Sequence, residues 1–277
     1  MKINRIIFNV FLPVLALGLI LSACQKNDDL LTSDVKTGGL ALPTGSIPYK
    51  LGATPTVPLE LTVPMGPGIS KIEVFNQYTR AEDGVTTNKV LMSTVDIASG
   101  NVSADMTKSF TVTYADLKKD LLLDGAGLPS DEALLPIGDS WELSYESIME
   151  DGRRVVNNAK TSIAVANIYA GTYLCVGVFT HPTAGPRPIN EEKFLKPLSA
   201  YSCSIPAGDL GSSGYSVTIT VDPATNDVSF SEGVPTDMFG STTQRSYYDP
   251  ATGKFFLHYF YVGATGNRVM DEEYTPL

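Results

Sequence analysis

Apolar and polar residues alternate in short runs from Ile47 onward. Apolar side chains occupy every second position in VPLELTV (57–63) and again in KIEVF (71–75), and Glu82-Asp83-Gly84 then follows as a turn. A period of two is typical of strands that bury one face. Further runs of this kind continue to the end of the chain, so the sequence predicts an all-β protein.

One segment breaks this period. In TYADLKKDLLLDGAG, Thr113 and Asp116 have the spacing of a capping box, and Gly125 suits the end of a helix. The leucines between these positions form one stripe. The pattern predicts a single helix from Thr113 to Gly125 that packs its leucines on the core.

The stretch DSWELSYESIMEDGRRVVNNAKTSIAVA is predicted to form a hairpin, with Asp151-Gly152 as the tight turn between its strands. Trp141 shares a strand face with Leu143 and Tyr145, which predicts a core position for the tryptophan. About seven strands with one short helix over residues 46–166 are typical of an Ig-like β-sandwich domain.

Residues 167–277 are predicted to be a second β-domain. VDPATNDVSF and YDPATGKFFL each begin a turn with Asp-Pro and close it with a residue that tolerates positive φ, Asn226 or Gly253. The run from Phe255 to Val262 is apolar on both faces and must be covered on both. This predicts a small β-barrel, which would be lipocalin-like, or a second β-sandwich.

Charge limits the partners of the protein. The chain has 277 residues, and its 30 acidic and 20 basic residues give a formal net charge of −10. Nucleic acid and anionic lipid surfaces both attract clustered Lys and Arg. We therefore expect no nucleic-acid partner, and attachment to a membrane would need another device.

The first residues supply such a device. Lys2 and Arg5 precede an apolar run over 6–21 that contains Pro13. This run is short for a transmembrane helix, which needs about 20 residues. A basic start, an apolar centre and small residues before a cleavage point predict a secretory signal peptide over 1–23.

Leu21-Ser22-Ala23-Cys24 resembles the lipobox of bacterial lipoproteins. That resemblance implies that Cys24 is the lipid-attachment residue and the mature N-terminus, since two or more acyl chains give a stable anchor. Gln25–Asp29 resembles the lysine-plus-acid tag of surface-exposed Bacteroidetes lipoproteins. The implied location is the outer membrane facing the cell exterior, with the inner leaflet as the alternative, and residues 24–45 form a flexible tether.

Cys175 and Cys203 remain once Cys24 is set aside. In an oxidising compartment they form either a disulfide or two separate buried thiols. With only two distant histidines beside them, they are too few for a metal site, and no cofactor is predicted.

No catalytic signature is present. A nucleophilic triad needs a histidine and usually a G-x-S-x-G elbow, and the chain has only His181 and His258 and lacks the elbow. His258 is expected to be structural. A glycosidase needs two carboxylates at a set separation, which an acidic chain offers by chance. Those candidates are Glu142, Glu146, Asp249, Asp271, Glu272 and Glu273. DEEY at 271–274 suits a charged strand edge better, and the prediction is that the protein is not an enzyme.

Sugar binding depends on exposed aromatic rings with polar neighbours. Tyr247 and Tyr248 flank an Asp-Pro turn beside Arg245 and Gln244, which makes these four residues one candidate ligand surface. The loop THPTAGPRPINEEK is another candidate. Its donors are His181, Arg187 and Asn190.

YAGTY, HPTAG, YYDPATGKFFLHYFY and GNRVMDEEYTP together resemble SusE-like outer-membrane lipoproteins of starch-utilisation-type glycan-uptake systems in Bacteroidetes. The resemblance implies an Ig-like domain followed by a β-domain, oligosaccharide capture without turnover, and an uptake-channel protein as a possible partner. The alternatives are an adhesion or scaffold lipoprotein that binds a protein, and a glycoside hydrolase.

Overall fold

The computed structural model describes residues 38–52, 56–97, 100–236 and 238–277. Strands dominate these residues, which confirms the all-β prediction. Within them, no helix has the length and hydropathy needed to cross a bilayer. The predicted signal peptide, the lipid attachment at Cys24 and most of the tether lie outside the described residues.

Two facing sheets around one hydrophobic core build the first part of the fold as a β-sandwich. One sheet has the order β1-β3-β6, and the other has the order β2-β11-β9-β4-β5 with β10 paired to β9. Trp141, Leu143 and Tyr145 are fully buried between the sheets, as predicted. The strands are β1 Leu42–Pro43, β2 Ser46–Leu51, β3 Val57–Val63, β4 Ile69–Thr79, β5 Val90–Asp96, β6 Met106–Val112, the small hairpin β7 Leu122–Leu123 and β8 Ala126–Gly127, β9 Ser140–Met149, β10 Arg154–Val156 and β11 Thr161–Asn167.

The predicted helix begins where expected and ends early. It is α1, Tyr114–Lys118, and Thr113 caps it in a capping box with Asp116. The predicted end at Gly125 is wrong, because the backbone becomes extended at Lys119 (φ −60°, ψ 129°) and Asp120 then takes a left-handed conformation (φ 57°). A short 3₁₀ turn at Glu132–Leu134 follows before β9.

A nearly closed antiparallel barrel forms the second part of the fold. Most strands pair with the next along the chain, but the two short strands Phe239–Ser241 and Tyr247–Asp249 both pair with Lys254–Gly263. The last strand, Gly266–Pro276, returns to pair with the first, Gly171–His181. Where the ladder ends, Val228 N–H donates to the Ser246 carbonyl and Tyr248 N–H donates to the Asn226 carbonyl, both at 2.9 Å. The strands are β12 Gly171–His181, β13 Gly185–Pro197, β14 Ser202–Pro206, β15 Ser216–Val221, β16 Val228–Val234, β17 Phe239–Ser241, β18 Tyr247–Asp249, β19 Lys254–Gly263 and β20 Gly266–Pro276.

The hairpin turns of the barrel follow the predicted chemistry. Asn226 (φ 60°) closes the β15–β16 turn and Gly253 (φ 72°) closes the β18–β19 turn. A 3₁₀ turn, Gly211–Ser213, lies between β14 and β15. A second hydrophobic core, rich in Tyr and Phe, fills the barrel interior.

Asn167 joins the sandwich to the barrel. Its buried side-chain amide donates to the Ser199 and Ser202 carbonyls (2.7 and 3.0 Å) and accepts from the Tyr169 and Ala170 N–H groups (3.1 and 2.7 Å). Gly39–Leu277 form one compact unit. Sheet membership changes between β11 and β12, near the predicted domain boundary, while separate folding of the two parts stays a prediction.

Candidate functional site

Tyr247 lies on the outer face of the barrel against a second aromatic ring. It pairs with Phe256 across β18 and β19, and the two rings stack with centroids 4.9 Å apart and planes 19° apart. The Arg245 guanidinium lies over the Tyr247 ring at 5.0 Å. Both rings remain partly exposed, so they form an aromatic patch at the surface.

A hydrogen-bonded chain of polar side chains adjoins this patch. Gln244 Nε2 lies 2.9 Å from His258 Nε2, and His258 Nδ1 lies 2.7 Å from Asp271 Oδ1. Because an amide nitrogen only donates, Nε2 of the imidazole accepts and Nδ1 donates to the carboxylate. His258 follows Phe256 by two positions in β19, so the two side chains share a face about 7 Å apart.

We call these six residues the outer-face cluster. The cluster consists of Gln244, Arg245, Tyr247, Phe256, His258 and Asp271. Two hydrogen bonds fix the position of Arg245: its Nε donates to Asp227 Oδ1 (2.5 Å) and its Nη2 to the Thr225 carbonyl (3.0 Å). This guanidinium holds the pKa of Asp227 below its usual range. Rigid strands and a fixed cation therefore preorganise the cluster.

Tyr248 is not part of this surface, and its prediction as a ligand residue is wrong. It is 8% exposed and packs its ring on Tyr169 (5.0 Å) and Phe255 (4.8 Å) inside the barrel. Burial, followed by the nearby Asp249, raises the pKa of its phenol. Successive residues of a strand face opposite sides of the sheet, so Tyr247 and Tyr248 cannot share one surface.

The predicted loop THPTAGPRPINEEK is instead a hairpin made by β12 and β13. His181 Nδ1 accepts from the Thr183 and Ala184 N–H groups, both at 3.2 Å, and so caps the three-residue turn. Prolines 186 and 188 are tolerated because this half of β13 pairs only with β12. Proline is rare inside paired strands, and the prolines of this segment therefore predict a loop.

The three residues predicted from that hairpin do not converge. Arg187 forms an ion pair with Asp209 and lies over the Phe179 ring at 4.2 Å, at one end of the barrel. Asn190 points to the outer face, where it pairs with Val176. Phe256 is three strands away along the same row, about 14 Å by strand spacing. Asn190 thus shares the face of the outer-face cluster but stands apart from it.

Sequence reasoning missed a buried ion pair inside the barrel. Lys193 Nζ lies 2.7 Å from Glu272 Oε1, with side-chain exposures of 1% and 0%. Glu272 Oε2 accepts from the hydroxyls of Tyr259 (2.7 Å) and Tyr274 (3.1 Å). DEEY is therefore no strand edge, since β20 is paired on both sides. Both residues have acidic neighbours in the sequence, so the alternation of apolar and polar positions does not reveal that these two side chains face the barrel interior.

Cys175 and Cys203 are free and buried, so the disulfide considered for them is not formed. They belong to β12 and β14, which β13 separates. Cys175 contacts Lys193 and Tyr274, whereas Cys203 contacts Asn167. Burial raises the pKa of Cys175 to about 12 and that of Cys203 to about 11. The two thiols fill the core as small apolar groups.

Comparisons with known proteins add little to this geometry. A family model described as "-like, C-terminal" matches residues 157–275, which contain the barrel except for its last strand residue, Pro276. None of the curated proteins matches the chain. A Bacteroides ovatus structural-genomics protein of unknown function is 13% identical over 87% of this chain and 92% of that chain, with a TM-score of 0.37. Spo0M, a sporulation control protein from Bacillus subtilis, is 11% identical over 70% of this chain and 78% of that chain, with a TM-score of 0.27.

Proposed function

We propose that this protein is a lipid-anchored lipoprotein of the outer membrane, facing the cell exterior, that captures oligosaccharides for an uptake system without turning them over. The observation that carries the proposal is the outer-face cluster. A stacked aromatic pair and a chain of hydrogen-bonding side chains lie side by side on one exposed face of the barrel.

Each part of the cluster matches one part of a sugar. Pyranose rings have apolar C–H faces that pack on aromatic rings, and Phe256 with Tyr247 provides such a surface. Sugar hydroxyls both donate and accept, and the ends of the polar chain, Gln244 and Asp271, offer amide and carboxylate groups at the rim. Arg245 adds a planar donor over Tyr247.

The state of the carboxylates supports capture over hydrolysis. All six candidate carboxylates already bond to a neighbouring side chain. Their partners are Lys160 for Glu142, Arg154 for Glu146, Thr252 for Asp249, His258 for Asp271, Lys193 for Glu272 and Lys254 for Glu273. A glycosidase needs a carboxylic acid that donates its proton and a second carboxylate that faces it across a cleft.

A protein partner is the second candidate function, and one observation favours it. Val176 and Val178 of β12 are 49% and 39% exposed on the same outer face, next to β20. Adjacent exposed apolar side chains are typical of a surface that binds protein rather than sugar. An adhesion or scaffold role would use this part of the face.

Binding to a glycan panel tests the proposal. The chain from residue 25 contains the whole compact unit Gly39–Leu277 and would be applied to plant, microbial and host glycans, with free reducing ends read from the same wells. We expect saturable binding to one glycan class without new reducing ends, and at least tenfold weaker binding for Tyr247→Ala.

Phe194→Ala is the matched control. Among the described residues of the barrel, Phe194 has the most exposed aromatic side chain, at 59%, and it lies on β13, away from the cluster. Loss of binding in Phe194→Ala with full binding in Tyr247→Ala would place the glycan-binding site on β13 instead of at the outer-face cluster. New reducing ends would overturn the non-catalytic proposal, and a panel without any binding would favour the protein partner.

A further inference from the structure

The ion pair inside the barrel joins two strands that do not pair with each other. Lys193 belongs to β13 and Glu272 to β20, and both strands flank β12. Lys193 is opposite Tyr173 of β12 and Glu272 is opposite Gly177, so the lysine side chain crosses the inner face of β12 to reach the carboxylate at 2.7 Å. A Cβ at Gly177 would collide with the Asp271 carbonyl, so glycine permits the close approach of β12 and β20.

The two carboxylate oxygens of Glu272 have different surroundings. Oε1 faces the lysine, while Oε2 accepts two phenol hydrogens, from Tyr259 at 2.7 Å and Tyr274 at 3.1 Å. Gly208 N–H donates to the Tyr259 hydroxyl at 3.1 Å and so orients it. Two fixed donors aimed at one oxygen in a dry site have the form of an oxyanion hole.

A second carboxylate completes the arrangement. Glu191 Oε1 lies 3.7 Å from Lys193 Nζ, and the Glu191 side chain is 45% exposed. It can accept a proton from the lysine on one side and contacts solvent on the other. Burial lowers the pKa of Lys193, whereas Glu272, Cys175 and Glu191 raise it, and the net direction is upward. The lysine therefore rests as an ammonium group and must lose a proton before it can act as a nucleophile.

We propose that Lys193 and Glu272 form an intramolecular amide bond that cross-links β13 to β20. One proton moves from Nζ to Oε1, and the Nζ lone pair then attacks the Glu272 Cδ. Negative charge develops on Oε2, between the two phenol hydroxyls. Glu191 carries a second proton from the nitrogen to Oε1, the Cδ–Oε1 bond breaks, and Oε1 leaves as water while Oε2 becomes the amide carbonyl. The ammonium and carboxylate become one amide and one water molecule, with no oxidant or reductant.

Burial explains why this pair would react and others would not. An ion pair in an apolar interior is costly, and the neutral amide removes both charges while its carbonyl keeps the tyrosine donors. Lys254 and Glu273 provide an internal control at a similar distance, 2.6 Å, but on the outer face with side chains 32% and 42% exposed. Water stabilises those charges, so we expect no bond there. The cross-link is independent of the proposed capture function.

Peptide mass spectrometry of the purified full-length chain after tryptic digestion tests the proposal without any variant. We expect Lys193 to be uncleaved in most chains, and its peptide to be joined to Val269–Leu277 with the loss of one water. Cleavage after Lys193 together with a free peptide Val269–Leu277 of its sequence mass would overturn the proposal. A water lost at another place, such as Asp151-Gly152, would count against it as well.

Two variants test the assigned roles. Tyr259→Phe removes one donor from Oε2 and should slow bond formation roughly 100-fold. Glu191→Gln changes a half-exposed side chain, leaves the fold intact and should also lower the cross-linked fraction measured at a fixed time after synthesis. Circular dichroism would confirm that both variants are folded. A cross-linked fraction equal to that of the wild type in Glu191→Gln would overturn the proton-transfer role of Glu191.

Discussion

His258 Nδ1 lies 2.7 Å from Asp271 Oδ1 across the β19–β20 pair, and the next outward side chain of β19, Phe256, stacks on Tyr247. A polar chain and an aromatic patch are thus placed in adjacent rows of one sheet. This adjacency follows from the period of two along β19, which turns every second residue of an apolar strand to the outer face.

Gln244→Ala should weaken glycan binding about tenfold, which corresponds to about 1.4 kcal/mol. The amide is exposed and ends the chain through its contact with His258, so its loss removes a hydrogen-bonding group and frees the imidazole. Isothermal titration with the glycan found in the panel would measure the change. Thr243→Ala, at the exposed neighbouring position, is the control and should bind normally.

Asn167→Ala should lower the free energy of unfolding by about 2–3 kcal/mol. The substitution leaves the Ser199 carbonyl and the Tyr169 and Ala170 N–H groups without their partner, whereas the Ser202 carbonyl still accepts from the Leu198 N–H. Urea denaturation would give the difference. Asn158→Ala, on an exposed amide of the sandwich, should stay within about 0.5 kcal/mol of the wild type. Equal stability of the two variants would contradict the role given to Asn167.

Cys175 and Cys203 should be inert to thiol reagents at pH 8 in the folded chain from residue 25. Their pKa values, raised to about 12 and about 11, keep nearly every thiol neutral at that pH, and the thiolate is the reactive form. Both should react at once in denaturant. Labelling with iodoacetamide followed by mass spectrometry measures this, and rapid native labelling of either cysteine would contradict the buried positions.

Asp227→Asn should destabilise the protein at neutral pH and have a smaller effect in acid. The pKa of Asp227 is below its usual value, chiefly because of Arg245, so its ion pair contributes stability above the unfolded pKa of about 3.9. That contribution is lost as the pH falls through the lower folded value. Melting temperatures of wild type and variant should therefore differ at pH 7 and converge below about pH 4. A difference in melting temperature that is constant with pH would show that the ion pair between Asp227 and Arg245 does not contribute to stability.

Much of the fold could be predicted from local pattern. Alternation placed Trp141 in the sandwich core, and the turn residues Asn226 and Gly253 marked two barrel hairpins. The helix was predicted too long, because a leucine stripe continues past Asp120 although the backbone does not. The backbone conformation of Lys119 and Asp120 ends the helix there, and the hydrophobic period carries no information about it.

The candidate site was harder to predict than the fold. Tyr247 and Arg245 were predicted correctly as neighbours at the surface. The ring that stacks on Tyr247, Phe256, and the histidine that contacts Gln244, His258, both come from the next strand. Cross-strand register sets these contacts, and a single sequence does not contain it. The same limit hid the pair of Lys193 and Glu272, which are 79 positions apart in the chain.

The pairing of β19 on both sides has a kinetic consequence. Four of the six residues of the outer-face cluster, Tyr247, Phe256, His258 and Asp271, rest on strands that are fixed in the sheet, and Arg245 is held by Asp227 and the Thr225 carbonyl. A sugar that lands there would bind and depart without waiting for a conformational step, at rates set by diffusion and by the contacts themselves. Such a surface suits brief, repeated encounters, in which a long polymer is retained by many short contacts and can still be passed onward.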